Sequence, residues 1–123
     1  MRLLEETPDE SLWRGDILRL VDDYDRGPGS GPVDLMVFDP YQDGRGLGVV
    51  VASGYKAGAI LSVFPEESCA PGKRSLETAW LLRHWNEWFC YTYEQDPSGN
   101  LVPLPLGGTQ ILAWDEREIV VKT

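Results

Sequence analysis

The pattern that decides the fold lies in residues 75–89, SLETAWLLRHWNEWF. At 100° per residue, Leu81, Trp85 and Trp88 fall on one side of a helix. The opposite side collects the polar residues of the segment and one alanine: Ala79, Arg83, Asn86 and Glu87. This period predicts one amphipathic helix over about 76–89, whose broad apolar face packs on a sheet.

The flanks of this helix have the sequence features of helix boundaries. Pro71-Gly72 breaks the chain before it, Ser75 is suited to cap it, and Glu77 is expected in its first turn. Upstream, residues 1–11 are expected to be a polar lead-in. Four stretches then have the β-branched or alternating patterns of strands: 12–21, with an irregularity at Gly15-Asp16, then 33–38, 46–53 and 58–64.

Turn residues separate these stretches and recur after the helix. Asp43-Gly44 indicates a hairpin, and residues 96–100, DPSGN, indicate another turn. The prolines of LVPLPLGG favour an edge strand or a non-strand. Residues 110–114 and 118–122 have the pattern of a closing hairpin. The prediction is an α+β, mainly β domain over 1–123: a curled antiparallel sheet of five to seven strands with one helix on one face.

The charge of the chain restricts its partners. Twenty acidic residues against eleven basic ones give a formal net charge of -9 in 123 residues. A field of that sign disfavours nucleic acid and anionic membranes as partners and favours a basic partner. The alternative is that the acidic composition only keeps the protein soluble. The start, MRLLEE, turns acidic before any apolar run, and the longest such run, 49–52, is too short for a bilayer. We expect a cytoplasmic protein without membrane contact.

Residues for catalysis are scarce, which favours a protein that is not an enzyme and binds no cofactor or metal. His84 is the only histidine and lies near the apolar helix face, where packing is its usual role. Cys69 and Cys90 lack metal-ligand spacing and are expected to be reduced thiols. Glu66 and Glu67, adjacent on an extended segment, are not expected to share one acid–base site.

The remaining signal is for binding. Acidic residues collect in the predicted loops together with tyrosines, and such loops on a rigid sheet suit a basic protein partner. The exposed aromatic candidates are Tyr24, Tyr41, Tyr55, Tyr91 and Tyr93. The predicted partner-binding residues are Asp22, Asp23, Tyr24, Asp25, Asp39, Tyr41, Asp43, Glu66 and Glu67. A competing hypothesis makes Asp22, Asp23 and Asp25 the magnesium site of a phosphate or nucleotide hydrolase.

Several motifs in combination resemble the immunity protein 45 family of bacterial polymorphic toxin systems. They are LWRGDILR at 12–19, VDLMVFD at 33–39, GLGVVVASGYKAGAILSVFPEES at 46–68 and LETAWLLRHWNEWF at 76–89. The resemblance spans roughly residues 12–90. It implies a mostly β protein, encoded beside a toxin gene, that binds and neutralises that toxin and has no catalytic residues.

By analogy with such systems, the toxin is expected to be a nuclease or a nucleotide-modifying enzyme with a basic active site, which the immunity protein occludes. The sequence leaves one further alternative open. A secretion-system adaptor or chaperone escorts an effector without inhibiting it, and it needs the same kind of surface.

Overall fold

A computed structural model describes residues 2–21, 32–54 and 56–112, apart from the side chains at 92 and 93. The strands are β1 (Arg2–Leu3), β2 (Ser11–Leu12), β3 (Ile17–Leu20), β4 (Val33–Phe38), β5 (Arg45–Val51), β6 (Ile60–Pro65), β7 (Leu76–Glu77), β8 (Cys90–Gln95), β9 (Leu101–Pro103) and β10 (Gln110–Leu112). One α-helix, α1 (Thr78–Trp88), lies within the described ranges. The predicted mainly β, α+β class is confirmed.

The main sheet has six antiparallel strands in the order β1-β10-β3-β4-β5-β6. β3 to β6 form an antiparallel meander, and β10 returns to pair with β3 and β1. The two-stranded sheets β2-β7 and β8-β9 complete the topology. The predicted range of five to seven strands is therefore correct for the main sheet, whereas the two small sheets were not expected.

The core lies between the main sheet and α1. In β4, Val33, Leu35 and Val37 are buried and alternate with half-buried residues, as expected for a strand with one face on the core. From the helix, Leu81 and Trp85 are buried in the same core, and Trp85 stacks on Phe89 with ring centroids 4.0 Å apart. The predicted amphipathic face is confirmed, because its polar side, Ala79, Arg83, Asn86 and Glu87, is exposed.

The helix begins later than the predicted residue 76. Leu76 and Glu77 instead pair with Leu12 and Ser11, so Glu77 is the extended residue before the helix and not part of its first turn. Ser75 does not cap it, since its hydroxyl accepts a hydrogen bond from the Ala70 N–H at 3.3 Å. A long-range strand pair thus replaces the first helical turn.

The N-terminal predictions also need correction. Residues 1–11 are not merely a polar lead-in: β1 is an edge strand of the main sheet, and Leu4, in the 3₁₀ turn Leu4–Glu6, is fully buried. The single strand predicted over 12–21 is two strands in different sheets. A turn with Gly15 at φ 96° separates them, at the irregularity that the sequence predicted. β10 occupies 110–112, and the rest of the predicted closing hairpin lies outside the described residues.

Within the described residues, no helix has the length and the apolar character needed to span a lipid bilayer.

Candidate partner-binding surface

Three shallow depressions follow one another along residues 66–74, at the end of the main sheet where β5 begins and β6 ends. The first, which we call the arginine depression, has a volume of about 360 Å³ and is lined by Tyr41, Gln42, Asp43, Gly44, Arg45, Glu66 and Arg74. The second, the central depression, is lined by Glu66 and residues 69–74. The third, the acidic groove, is lined by Pro8, Asp9, Glu10, Glu67, Cys69, Ala70, Pro71, Glu77, Ala79, Trp80 and Arg83. Neighbouring depressions share lining residues, so the three form one surface.

Arg74 joins the two loops that build this surface. Its guanidinium donates to both carboxylate oxygens of Asp39, with Nη2–Oδ1 at 2.6 Å and Nε–Oδ2 at 3.2 Å. It also donates to the main-chain carbonyls of Arg45, at 2.7 Å, and Gly46, at 3.3 Å. These bonds keep the pKa of Asp39 below its usual value, chiefly through the hydrogen bond from Arg74. The loop after β4 is thereby fixed to the loop before α1.

Gly46 allows the segment after β6 to lie directly on β5. A Cβ atom there would stand 2.8 Å from Ser68 Oγ and 2.9 Å from the Pro65 carbonyl oxygen. The 3₁₀ turn Glu66–Ser68 is seated at this point, and the Ser68 hydroxyl donates to the Pro65 carbonyl at 2.7 Å. Only a residue without a side chain permits this approach.

Tyr41 stands out from this surface in a strained backbone conformation. It has a φ of 52°, the one positive φ at a non-glycine residue in the described ranges, and it is 75% exposed. That conformation costs a bulky L-residue on the order of 1 kcal/mol. Two contacts maintain it: the Tyr41 N–H donates to Asp39 Oδ1 at 2.8 Å, and the Tyr41 hydroxyl accepts from Arg14 Nη1 at 2.6 Å.

Trp13 and Arg14 belong to the turn between β2 and β3, which lies at the same end of the sheet. The Gly15 N–H donates to the Val37 carbonyl at 2.8 Å, which fixes this turn beside the end of β4. Trp13 is 47% exposed, although a tryptophan normally contributes to a core. Composition and strand patterns gave no reason to place either residue at a binding surface. The signal would have been their position in the turn marked by Gly15-Asp16.

The acidic groove holds most of the negative charge on this surface. Four carboxylates line it, from Asp9, Glu10, Glu67 and Glu77, against the one cation Arg83. Glu10 is paired with Arg2 from outside the groove. Two buried polar atoms of its lining, Glu77 Oε2 and Trp80 Nε1, have no hydrogen-bond partner in the described part of the chain. The groove therefore suits a group that brings positive charge and polar atoms.

The predicted site residues divide between these depressions. Tyr41, Asp43 and Glu66 line the arginine depression, with Asp39 beneath it bonded to Arg74, and Glu67 lines the acidic groove. Glu66 and Glu67 lie in a 3₁₀ turn and not on the extended segment assumed, yet they do face separate depressions. The remaining predicted members lie outside the described residues: Asp22, Asp23, Tyr24 and Asp25. The magnesium site of the hydrolase hypothesis consists of three of these residues and therefore also lies outside them.

Five tyrosines were expected to be exposed. This prediction is confirmed for Tyr41 and wrong for Tyr91. Tyr91 follows α1 on β8 and is 5% exposed, because that strand packs on the core. Tyr24 and Tyr55, and the side chain of Tyr93, lie outside the described residues.

The groups expected to be chemically silent are placed as follows. His84 is half-buried and stacks on Trp80, with ring centroids 4.4 Å apart, which matches the predicted packing role. Cys69 and Cys90 are both free thiols. Burial raises the pKa of the Cys90 thiol, which lowers its reactive thiolate fraction. Over the ranges 2–21, 32–54 and 56–112, no three His, Cys, Asp or Glu side chains converge as a metal site would require.

The fold and this surface define a small α+β protein whose most elaborate feature is a solvent-facing surface of opposed charges. The chain belongs to the immunity protein 45 family, whose family model matches residues 4–98, 95 of its 123 residues. It is therefore an immunity protein, and its partner is a toxin. Searches of the curated proteins and of the solved structures found no match.

Proposed function

We propose that this chain neutralises its toxin by docking over the active site of that toxin and excluding the substrate, in the bacterial cytoplasm. The observation that carries the proposal is the continuous surface along residues 66–74. Every predicted contact residue within the described ranges lines it or, in the case of Asp39, braces it. A surface whose loops are already joined by the hydrogen bonds of Arg74 suits stoichiometric inhibition, because less ordering entropy is lost on association.

The charge distribution supports a basic toxin active site. An enzyme that acts on nucleic acids or nucleotides must attract phosphates, so its active site is basic. The carboxylates of the acidic groove would stand in for those phosphates, and the net charge of -9 would speed the encounter. A nuclease or nucleotide-modifying toxin is the class that fits this reasoning.

The test uses the toxin domain that is encoded beside the gene of this protein. The purified full chain is added to that toxin domain, and the remaining toxin activity is measured. We expect one molar equivalent to abolish toxin activity and co-expression to restore growth. A secretion adaptor would bind the toxin and leave its activity intact, which would refute the proposal. A magnesium-dependent turnover of nucleotides by the chain alone would instead support the hydrolase hypothesis.

The contribution of the three acidic residues at 22, 23 and 25 is tested separately. Replacing Asp22, Asp23 and Asp25 together by Lys should weaken toxin binding and flatten its dependence on salt, with the fold intact. If binding at low salt stays within about twofold of the wild type, those three acidic residues serve solubility only. Docking would then rest on the surface along 66–74.

A further inference from the structure

The conformation of Tyr41 is unfavourable for the folded state, and burial of its ring does not offset this cost. The side chain is 75% exposed, so its ring contributes little burial. A glycine at φ 52° would avoid the strain altogether. Strained residues that persist in folded proteins cluster at sites of binding or catalysis, where the surrounding structure holds them in place.

The surrounding structure here is a connected set of bonds. Arg74 fixes the Asp39 carboxylate, Asp39 accepts from the Tyr41 N–H, and Arg14 donates to the Tyr41 hydroxyl. The backbone and the far end of the side chain are therefore both held, at 2.8 Å and 2.6 Å. A large aromatic side chain fixed in this way loses little freedom when it enters a partner.

The neighbourhood of Tyr41 has the composition of an interface centre. Trp13, 47% exposed, precedes Arg14, the residue that contacts the Tyr41 hydroxyl. Tryptophan, tyrosine and arginine are the residue types that most often dominate binding energy at protein interfaces. Resting on the proposed function, we propose that Tyr41, Trp13 and Arg14 are the anchor by which this chain binds its toxin.

The charges around the anchor define the chemistry of the surface that receives it. Arg14 and Arg45 are exposed, and neither forms a salt bridge with the described residues. The toxin is therefore expected to offer Tyr41 an apolar cleft edged by carboxylate or carbonyl oxygens, which accept hydrogen bonds from these guanidinium groups. This end of the docking surface differs from the acidic groove, where the toxin is expected to be basic.

The experiment measures two quantities for each variant of the full chain: the Kd for a catalytically inactive toxin domain encoded beside its gene, and the urea midpoint without toxin. The variants are Tyr41→Phe, Tyr41→Ala, Tyr41→Gly and Trp13→Ala. Ile60→Ala is the matched control, because Ile60 is 62% exposed and lies at the opposite end of the main sheet.

We expect Tyr41→Ala, Tyr41→Gly and Trp13→Ala each to raise Kd by about tenfold or more, and Tyr41→Phe by less. Ile60→Ala should stay within about twofold. Tyr41→Gly should unfold at a urea concentration close to that of the wild type, since glycine removes the backbone strain together with a ring that is mostly exposed. This combination, weaker binding without a loss of stability, identifies a binding residue.

Binding by Tyr41→Ala and Trp13→Ala within about twofold of the wild type would overturn the anchor, while leaving inhibition by the wild type intact. Equal losses for Ile60→Ala would overturn it too, because exposed apolar area alone would then account for the effect. The proposed function fails in a different way, when the wild-type chain itself does not inhibit the toxin.

Discussion

Arg74 and Asp39 are 35 residues apart in sequence, yet the guanidinium of one binds both carboxylate oxygens of the other. Asp39 follows β4 and Arg74 precedes β7, so this ion pair connects the end of an interior strand to the segment that leads into α1. The Asp39 side chain is only 8% exposed, whereas that of Arg74 is 46% exposed. The pair is therefore a structural brace of the surface and not a free acidic contact.

Replacement of Asp39 by Asn should lower the free energy of unfolding at pH 7 by about 1 kcal/mol. A hydrogen bond between charged groups contributes somewhat more than this, but solvent around the half-exposed Arg74 screens the pair. Folding lowers the pKa of Asp39, so the ionised carboxylate stabilises the folded state. This stabilisation is fully present at pH values above the pKa of the carboxyl in the unfolded chain, which is about 4. It is lost as the pH falls through the lowered pKa. Urea unfolding between pH 7 and pH 3 measures the difference from the wild type.

Asp43→Asn provides the control, since it removes one carboxylate from the same loop at an exposed position. Its stability should stay within about 0.5 kcal/mol of the wild type at every pH. A constant difference between wild type and Asp39→Asn from pH 7 to pH 3 would contradict the role assigned to the ion pair.

Gly46→Ala should destabilise the protein by about 1–3 kcal/mol, because the new methyl group would collide with Ser68 Oγ, the Pro65 carbonyl and Cys69 Sγ. Two of these three contacts belong to backbone or a fully buried residue, which cannot move away cheaply. Gly107→Ala is the matched control, with no atom within 4 Å of the added Cβ. Thermal unfolding of the two variants gives the answer, and equal melting temperatures would show that the turn at 66–68 is not tightly seated.

Thr78→Val should cost about 2 kcal/mol, although valine has nearly the same shape. The buried Thr78 hydroxyl accepts from the Glu10 N–H at 2.9 Å and donates to the Glu10 carbonyl at 3.0 Å. Loss of the hydroxyl leaves the Glu10 N–H without this partner, while the Glu10 carbonyl retains the hydrogen bond from the Thr78 N–H at 2.9 Å. Thr78→Ser retains the hydroxyl and should recover most of the stability in a urea titration; a serine variant as unstable as the valine variant would argue against the hydrogen bonds.

Trp85→Phe should lower the free energy of unfolding by about 1–3 kcal/mol. The Trp85 indole N–H donates to the buried Leu104 carbonyl at 2.8 Å, and this bond fixes the chain after β9 against α1. Phenylalanine removes the donor and part of the ring volume. Trp13→Phe, at an exposed position, should change stability by less than about 0.5 kcal/mol. Chemical denaturation followed by far-UV circular dichroism compares the two, and similar losses would refute the assignment.

Glu67→Gln should slow association with the toxin domain more than Glu66→Gln does, by about threefold at low salt. The two variants change the net charge equally and lie next to each other in sequence. Glu67 lines the acidic groove, whereas Glu66 shares its depression with Arg45 and Arg74. Stopped-flow measurements give the association rate of each variant at two salt concentrations. If the two variants had the same rates and the same dependence of rate on salt, the groove would not face a basic surface.

The candidate site was predictable only in part from the sequence. Asp43-Gly44 and the proline after Asp39 place a loop at the end of β4, and loops are where binding residues collect. The residues predicted from this loop, Tyr41 and Asp43, line one depression together with the separately predicted Glu66. Sequence reasoning missed Trp13 and Arg14, because only the antiparallel pairing of β3 with β4 brings their turn to the same end of the sheet.

The sequence alone determined the elements whose signal is local. The 3.6-residue apolar period defines α1, and β4 has the predicted bounds of 33–38 because its strand pattern ends at Asp39-Pro40. Residues 96–100 form the predicted turn for a similar reason: Asp96 Oδ1 accepts from the N–H groups of Ser98 and Asn100. Such patterns are set by backbone geometry and by contacts within a few residues.

The tertiary structure alone decided the features that depend on distant partners. Residues 76 and 77 have a sequence suited to a helix, yet they form a strand because Ser11 and Leu12 pair with them. Asp39 has the sequence context of a free acidic loop residue, and Arg74 turns it into a brace. In both cases the deciding hydrogen bonds join segments far apart in the chain, and no local pattern records the energy of such bonds.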